Sequence, residues 1–390
     1  MKIIHCVESY YPNVGGMQEV VKQLSERMAK LGHEVIVCTR FHNDRNFTQL
    51  NNVYIEAFKI EGNPFASNTA EEKRYESYLI NTNADVITFF AAQQWATNLA
   101  LPILNQIKAK KVSVPTGYSG LYWPEFKQYF EDMKTYIHGY DMNVYLSDDY
   151  RDINFARENG VKNLMIIPNG AAEDEFLKEE QINVRKELNL KQDTFLLLHV
   201  GSYTGWKGHE ELIEIFRKSK LKNAALIMVG NNYEQFFKSM PKYIKRFINW
   251  YLIKFSFSKK IFFKHFSREF TVAAYKQANI FIFPSNIECS PIVLFESAAA
   301  KLPFLATDVG NSNEIAKWTK GGKILPTYKD SNGFSHVKIN EAIKMLNDFY
   351  DNENERKAMA EESHNIWKEK YSWEKITLEY EKLYKNLIDK

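Results

Sequence analysis

The chain has 390 residues, 45% of them hydrophobic, and a net charge of only +3, so it is long enough for two cores of ordinary size and unremarkable in total charge. No apolar run approaches the roughly 20 residues that span a bilayer, and the N-terminus MKIIHCVESYYP runs straight into a strand without a basic leader or cleavage site, so a cytoplasmic protein is expected. Three cysteines at wide spacings, Cys6, Cys38 and Cys289, make neither a disulfide framework nor a zinc pattern.

The first elements alternate strand and helix. KIIHCVE (2–8) predicts a strand, and Met17, Val20, Val21, Leu24, Met28 and Leu31 follow at helical spacing. Gly32 stops that helix and EVIVCT (34–39) is the next strand, a βαβ start that implies a parallel sheet. Further strands are expected at 53–60, 85–90, 111–114, 142–146 and 164–167, the last running into IIPNG (166–170), a turn that marks a boundary. A second series follows: FLLLHVG (195–201), AALIMVG (224–230), KIFFKHF (260–266), IFIFPS (280–285) and PFLATDVG (303–310). Two such βα arrays predict two Rossmann-like domains facing a cleft. Beyond 337 the chain reads as helical, ending in the amphipathic stretch 371–388, whose apolar side must pack on something. There is no internal repeat, and neither domain opens with Gly-x-Gly-x-x-Gly, which argues against a dinucleotide-dependent dehydrogenase.

Between Gln235 and Arg268 there is no Asp or Glu, while Lys238, Lys242, Lys245, Arg246, Lys254, Lys259, Lys260, Lys264 and Arg268 all fall there, interleaved with aromatic and aliphatic residues. Two readings stay open. One is an interfacial segment on an anionic membrane surface; the other is a helix whose apolar face packs on its own domain beneath solvated lysines. Nucleic acid would suit such a patch but is not expected as a partner.

The most informative stretch is NIECSPIVLFESAAAKLPF, in which Glu288 and Glu296 straddle a strand-to-helix corner. Ligands of open α/β sheets sit at such corners. Ser290 reads as an N-cap and Pro291 as the first helical residue, which leaves the amides of Ile292 and Val293 at a positive helix end, an anion site. Six residues on, Glu296 lies roughly 9 Å further along the axis, far enough from a bound diphosphate to meet a ribose diol. Glu288, before the corner, faces the sugar. Cys289 reads as a structural thiol, because no His stands near it in sequence.

This stretch, with the strand ending in Pro-Ser before it and ATDVG after it, resembles the Glu-x7-Glu signature of the family 4 retaining glycosyltransferases, which have the GT-B fold. The resemblance covers nearly the whole chain. YYPNVGGMQEVVKQLSERMAKLGHEVIVCT resembles the family's opening, in which a glycine pair lets backbone approach the donor's phosphates or the acceptor; Gly15 and Gly16 carry it. HVGSYTGWKGHEELIEIF resembles the Gly-Arg…Lys-Gly loop that neutralises the leaving diphosphate. Lys207 matches the Lys, but Ser202 stands after Gly201 where the family has Arg, so a bidentate phosphate fork is missing. Where family members carry a histidine beside the donor sugar, this chain has Thr116-Gly117, with Thr88 and Phe90 on the preceding strand. Thr116 can hydrogen-bond a sugar hydroxyl but carries no charge. His265, Phe266 and Ser267 fall where the nucleobase loop runs, although an ordinary strand end fits them as well.

The resemblance implies an α/β, GT-B fold with an N-terminal acceptor domain (1–170), a nucleotide-sugar donor domain (171–370), and a last segment (371–390) that returns to the first. It implies a retaining transferase moving a hexose-type sugar from a UDP- or GDP-sugar to a glycan or lipid-linked acceptor, in bacterial surface polysaccharide assembly; the expected place is the cytoplasm, at the inner face of the membrane if 235–268 binds an anionic surface. Glu288 and Lys207 are the expected catalytic pair, with Gly15, Gly16, Gly201, Ser202, His265, Phe266, Ser290, Ile292, Val293 and Glu296 on the donor. No cofactor and no metal are expected, since there is no Asp-x-Asp motif and Asp148-Asp149 reads as a helix cap. A nucleotide-sugar epimerase, or a sugar-nucleotide-binding scaffold that has lost turnover, are the alternatives; the missing Arg keeps the second open.

Overall fold

A computed structural model of the chain describes residues 1–231 and 258–389. It divides into two compact units, Met1–Asn169 with Trp373–Lys390, and Gly170–Ser372.

Unit 1 contains β1 (Lys2–Cys6), β2 (Glu34–Arg40), β3 (Gln49–Leu50), β4 (Val53–Phe58), β5 (Val86–Phe90), β6 (Lys110–Val114), β7 (Met142–Tyr145) and β8 (Leu164–Ile166). They form one sheet in the order β3-β4-β2-β1-β5-β6-β7-β8, parallel except for the β3–β4 pair. The near-continuous apolar runs of β1 and β5 follow from this, because a central parallel strand is covered on both faces. The order reverses between β1 and β5, so the loops after these strands part and leave a crevice at their carboxyl ends.

The last helix, Trp373–Ile388, is part of this unit. It buries Ile376, Thr377, Tyr380, Leu383, Tyr384 and Leu387, a stripe at three- and four-residue spacing. Arg27 Nε donates to Glu374 Oε1 at 2.9 Å, His33 Nε2 lies 2.9 Å from Glu381 Oε1, and the Tyr384 hydroxyl lies 2.6 Å from Thr88 Oγ1. Thr88 therefore serves this helix contact, not a ligand.

Unit 2 contains β9 (Phe195–Val200), β10 (Ala224–Val229), β11 (Lys259–Lys264), β12 (Ile280–Phe283), β13 (Phe304–Ala306) and β14 (Gly322–Ile324), all parallel in the order β11-β10-β9-β12-β13-β14. Alternate residues feed two cores: Leu196, Leu198, Phe281 and Phe283 on one face, Leu197, Ile280, Ile282 and Leu305 on the other. Here the order reverses between β9 and β12. A small antiparallel hairpin, β15 (Thr327–Lys329) with β16 (Ser335–Val337), follows β14. The sequence reading missed β3, β14 and this hairpin, all of them three residues or shorter and without a run long enough to show a period.

Most of the acid-free stretch 235–268 lies outside the described residues. Of its described bases, two are committed to structure. Lys259, almost fully buried, donates its Nζ to the carbonyls of Phe216 (2.8 Å) and Ser219 (2.6 Å), closing the C-terminus of the helix His209–Lys218. Burial lowers its pKa to about 8. Arg268 pairs with carboxylates within unit 2. Of these two, Lys259 is taken into the fold, while Arg268 remains exposed beside its carboxylate partners. No helix among the described residues is long and apolar enough to cross a membrane.

Candidate active site

β9 and β12 are neighbours at the reversal point of unit 2, and the tips of the loops that leave their carboxyl ends bend back into contact, with Asn286 N–H on the Trp206 carbonyl. The β9 loop carries Lys207 and the β12 loop carries Glu288, 81 positions later. Lys207 Nζ lies 2.5 Å from Glu288 Oε1, and the same oxygen accepts from the Ser285 hydroxyl at 2.8 Å. Both side chains are mostly but not wholly buried, at 23% and 14% exposure, so the pair is desolvated yet reachable.

The loop geometry is enforced by backbone contacts. Asn286 N–H donates to the Trp206 carbonyl at 2.9 Å, and the Ser285 hydroxyl reaches the same carbonyl at 3.2 Å. Gly208 has φ +66°, and a Cβ there would overlap the Pro284 carbonyl. The Lys207 loop can thus lie on the β12 loop only with glycine at 208. Ser202 is half-buried and its carbonyl accepts from Thr204 N–H at 2.8 Å.

The helix after Glu288 runs Ile292–Ala299, with Pro291 at the N-cap position. This corrects the expectation for Ser290 and Pro291 by one residue: Ser290 precedes the cap, and Pro291, with extended ψ, is not yet helical. Ile292 and Val293 do stand at the helix start and are half-buried. Glu296 is only 3% exposed, and Arg268 Nη2 lies 2.7 Å from its Oε1 and 2.5 Å from Glu175 Oε2. Arg268 bridges two carboxylates from distant segments, and neither periodicity nor motif pointed to it. Near it, His265 is exposed and the Phe266 and Phe270 rings pack at a tilt, with centroids 3.9 Å apart. Ser267 caps the helix Arg268–Gln277 by accepting from Phe270 N–H at 3.2 Å, so this hydroxyl is already engaged.

Beneath the Lys207 loop lie two buried histidines that sequence reasoning passed over. His199 Nδ1 is 2.9 Å from the Ile282 carbonyl and must donate to it, which leaves Nε2 as the lone-pair nitrogen, facing Gly201. The His199 and His209 rings lie edge to face at 4.8 Å. Burial lowers the pKa of His199 to about 4 and that of His5, in unit 1, to about 3. The unfolded chain takes up protons at these sites below about pH 6.5 while the folded chain does not, so each contributes stability that declines as pH falls from there. Between pH 7 and 5 one such histidine removes about 2 kcal/mol. In urea titrations His199→Asn should lose about that much less than the wild type over this interval; equal losses would show that His199 is not the group responsible.

In unit 1, Gly15 is the N-cap and Gly16 the first residue of the helix Gly16–Lys30, with no atom near the position of a Cβ on Gly16. Gly15 is fully extended, so the pair is required by no turn geometry. Thr116, after β6, has φ +57°, a strained conformation for a β-branched residue. The Gly117 N–H anchors this loop on Asp152 Oδ2 at 2.8 Å. Asp152 is buried, which raises its pKa to about 6. Its titration opposes that of the histidines, since protonation here favours the folded state. Ala91 and Gln93, after the neighbouring β5, also have positive φ. Strain of this kind gathers where a loop is shaped for a ligand.

Comparison with known proteins places these features. The model for Glycosyltransferase Family 4 matches residues 14–175, and that for Glycosyl transferases group 1 matches residues 180–365. An uncharacterised glycosyltransferase of Methanocaldococcus jannaschii is 26% identical over 99% of this chain and 98% of its own. The lipopolysaccharide glucosyltransferase of Escherichia coli K12 is 24% identical over 88% of this chain and 89% of its own. Among solved structures, sucrose-phosphate synthase from Thermosynechococcus elongatus superposes with a TM-score of 0.77 at 16% identity, covering all of both chains. Anabaena HepE in complex with UDP and glucose gives 0.75 at 14% identity, covering 99% of this chain and 100% of its own. The fold shared with these two structures is GT-B.

Proposed function

The chain belongs to the family 4, group 1 glycosyltransferases, and we propose that it moves a hexose-type sugar from a UDP- or GDP-sugar to a glycan or lipid-linked acceptor in bacterial surface polysaccharide assembly. The observation that carries this reading is the Lys207–Glu288 pair at the joined carboxyl ends of β9 and β12, beside the helix start at Ile292. An ammonium and a helix N-terminus together stabilise the charge that grows on a departing diphosphate, without requiring a metal. The nucleoside diphosphate leaves with the electron pair of the anomeric C–O bond. The acceptor hydroxyl attacks from the same face and passes its proton to the departing phosphate oxygen, which gives retention. Glu288 then holds Lys207 before the donor arrives and a sugar hydroxyl after it, and Thr116 is a weaker contact to sugar or acceptor.

Glu296 takes the ribose diol, sharing its carboxylate with Arg268. Glu296→Gln should lower nucleotide affinity by roughly 1.5 to 3 kcal/mol, because two charge-assisted hydrogen bonds weaken. Arg268 keeps Glu175 in that variant, so the fold should hold. An unchanged affinity in calorimetry would remove Glu296 from the nucleotide site.

The reading as a whole is tested by thermal shift against UDP, GDP and ADP, followed by transfer assays with a donor panel in the presence of EDTA. A ligand that binds only the folded state raises the melting temperature in proportion to RT ln(1 + [L]/Kd). Stabilisation by one nucleotide and EDTA-resistant transfer from its sugar are expected. Stabilisation without turnover of any donor would favour a sugar-nucleotide-binding protein, the outcome that the serine at position 202 keeps in view.

A further inference from the structure

Unit 2 holds a concavity of about 690 Å³, bounded by the helix His209–Lys218, the β15–β16 hairpin and the tip of the β9 loop. Lys207, Glu288 and Glu296 do not line it. Its size falls within the range of small-molecule sites, about 300 to 1,000 Å³.

Carboxylates line one wall, and by themselves they mean little. Glu210 and Glu211 lie in the first turn of a helix, where acids complement the dipole, and Glu214 pairs with Lys218. The rings on the other walls are harder to account for. Trp206 is 50% exposed and Tyr328 51% exposed. Each is held flat by a partner: Trp206 stacks on Phe334 at 4.7 Å and 22°, and Tyr328 stacks on His336 at 5.5 Å and 29°. Two large aromatic faces fixed at a cavity rim leave apolar surface in water without covering any core. The Trp206 carbonyl is itself anchored by Asn286, so the indole is not on a loose tip.

Flat aromatic faces beside carboxylate and amide acceptors match a sugar, whose C–H face packs on a ring while its hydroxyls donate to the acids. Three glutamates against Arg217 and His336 disfavour phosphate, sulfate and uronate groups. We propose that this cavity is a second carbohydrate-binding site, specific for a neutral oligosaccharide and separate from the place of the nucleotide sugar. Such a site would hold a glycan chain on the enzyme apart from the reacting end.

The test measures binding alone, by calorimetry and saturation-transfer NMR on the full chain, and therefore stands whether or not any donor is turned over. The probes are maltoheptaose and chitotetraose, with a heparin octasaccharide and spermidine as charged competitors for the same reading. At least one neutral oligosaccharide should bind. Tyr328→Ala should weaken it roughly tenfold, as loss of one stacking face predicts, while Tyr328→Phe should bind like the wild type. Glu214→Gln, with an unchanged melting temperature, should weaken it less. The proposal is overturned if neither neutral oligosaccharide binds at millimolar concentration or if Tyr328→Ala binds as well as Tyr328→Phe. A preference for heparin or spermidine would equally overturn it.

Discussion

Lys207→Ala should lower kcat on the order of 100-fold or more while weakening donor binding less, because the charge that the ammonium faces is largest when the bond to the diphosphate is breaking. The structure adds a consequence that is specific to this chain. Removing the ammonium takes away the cation 2.5 Å from Glu288 Oε1 while the Ser285 hydroxyl stays on that oxygen, so a less compensated carboxylate then faces the incoming phosphates. The second substitution, Glu288→Gln in the Lys207→Ala background, should recover part of the lost donor affinity without recovering turnover. Steady-state kinetics and direct nucleotide titration separate the two quantities. If kcat and affinity fall by equal factors in Lys207→Ala, Lys207 is a simple phosphate anchor. If the double variant binds no better than the single one, the coupling read from the 2.5 Å contact has no functional weight.

Gly208→Ala should be severely destabilising for a change of one methyl. The residue sits at φ +66°, and the added Cβ would overlap the Pro284 carbonyl, a backbone atom that cannot rotate away. Strain at a left-handed non-glycine residue costs of order 1 to 3 kcal/mol, and the overlap adds to it, so a loss of roughly 3 kcal/mol or more is expected. Gly205→Ala is the matched control: its φ is also positive, at +85°, but a Cβ there meets nothing within 4 Å. It should lose only the conformational part, about 1 kcal/mol. Urea unfolding followed by tryptophan fluorescence would compare them. Equal losses would mean that the close approach of the two loops does not matter to stability. A Gly208→Ala protein that folds should still show impaired turnover, since the methyl pushes the Lys207 loop off the β12 loop.

Much of the architecture was legible before any coordinates. The alternation of buried apolar runs with amphipathic helices specifies two parallel sheets, because a strand covered on both faces must be apolar throughout and its crossover must be a helix. The strand cores at 195–200, 224–229 and 280–283 all fall inside the stretches read from sequence, which differ only by a residue or two at the ends, where strand gives way to loop. The Glu288 corner was legible for the same reason: an apolar run stops, a proline and small polar residues follow, and a helical pattern resumes.

What the sequence could not say is which corners meet. Lys207 and Glu288 are adjacent because β9 pairs with β12 and not with its neighbours in sequence order alone, and pairing order is a property of the whole sheet. Arg268 was one base in a run of nine until the fold set it between Glu175 and Glu296, two carboxylates on separate helices. Lys259 looked like a solvated charge and is a helix cap. Thr116 gave no sign of its left-handed backbone, in a loop whose next residue, Gly117, is anchored on Asp152 from another segment. Local sequence determines periodicity, and periodicity determines which elements form. Charge pairing, burial and strain depend on atoms far apart in the chain, so for these residues only the tertiary structure decided.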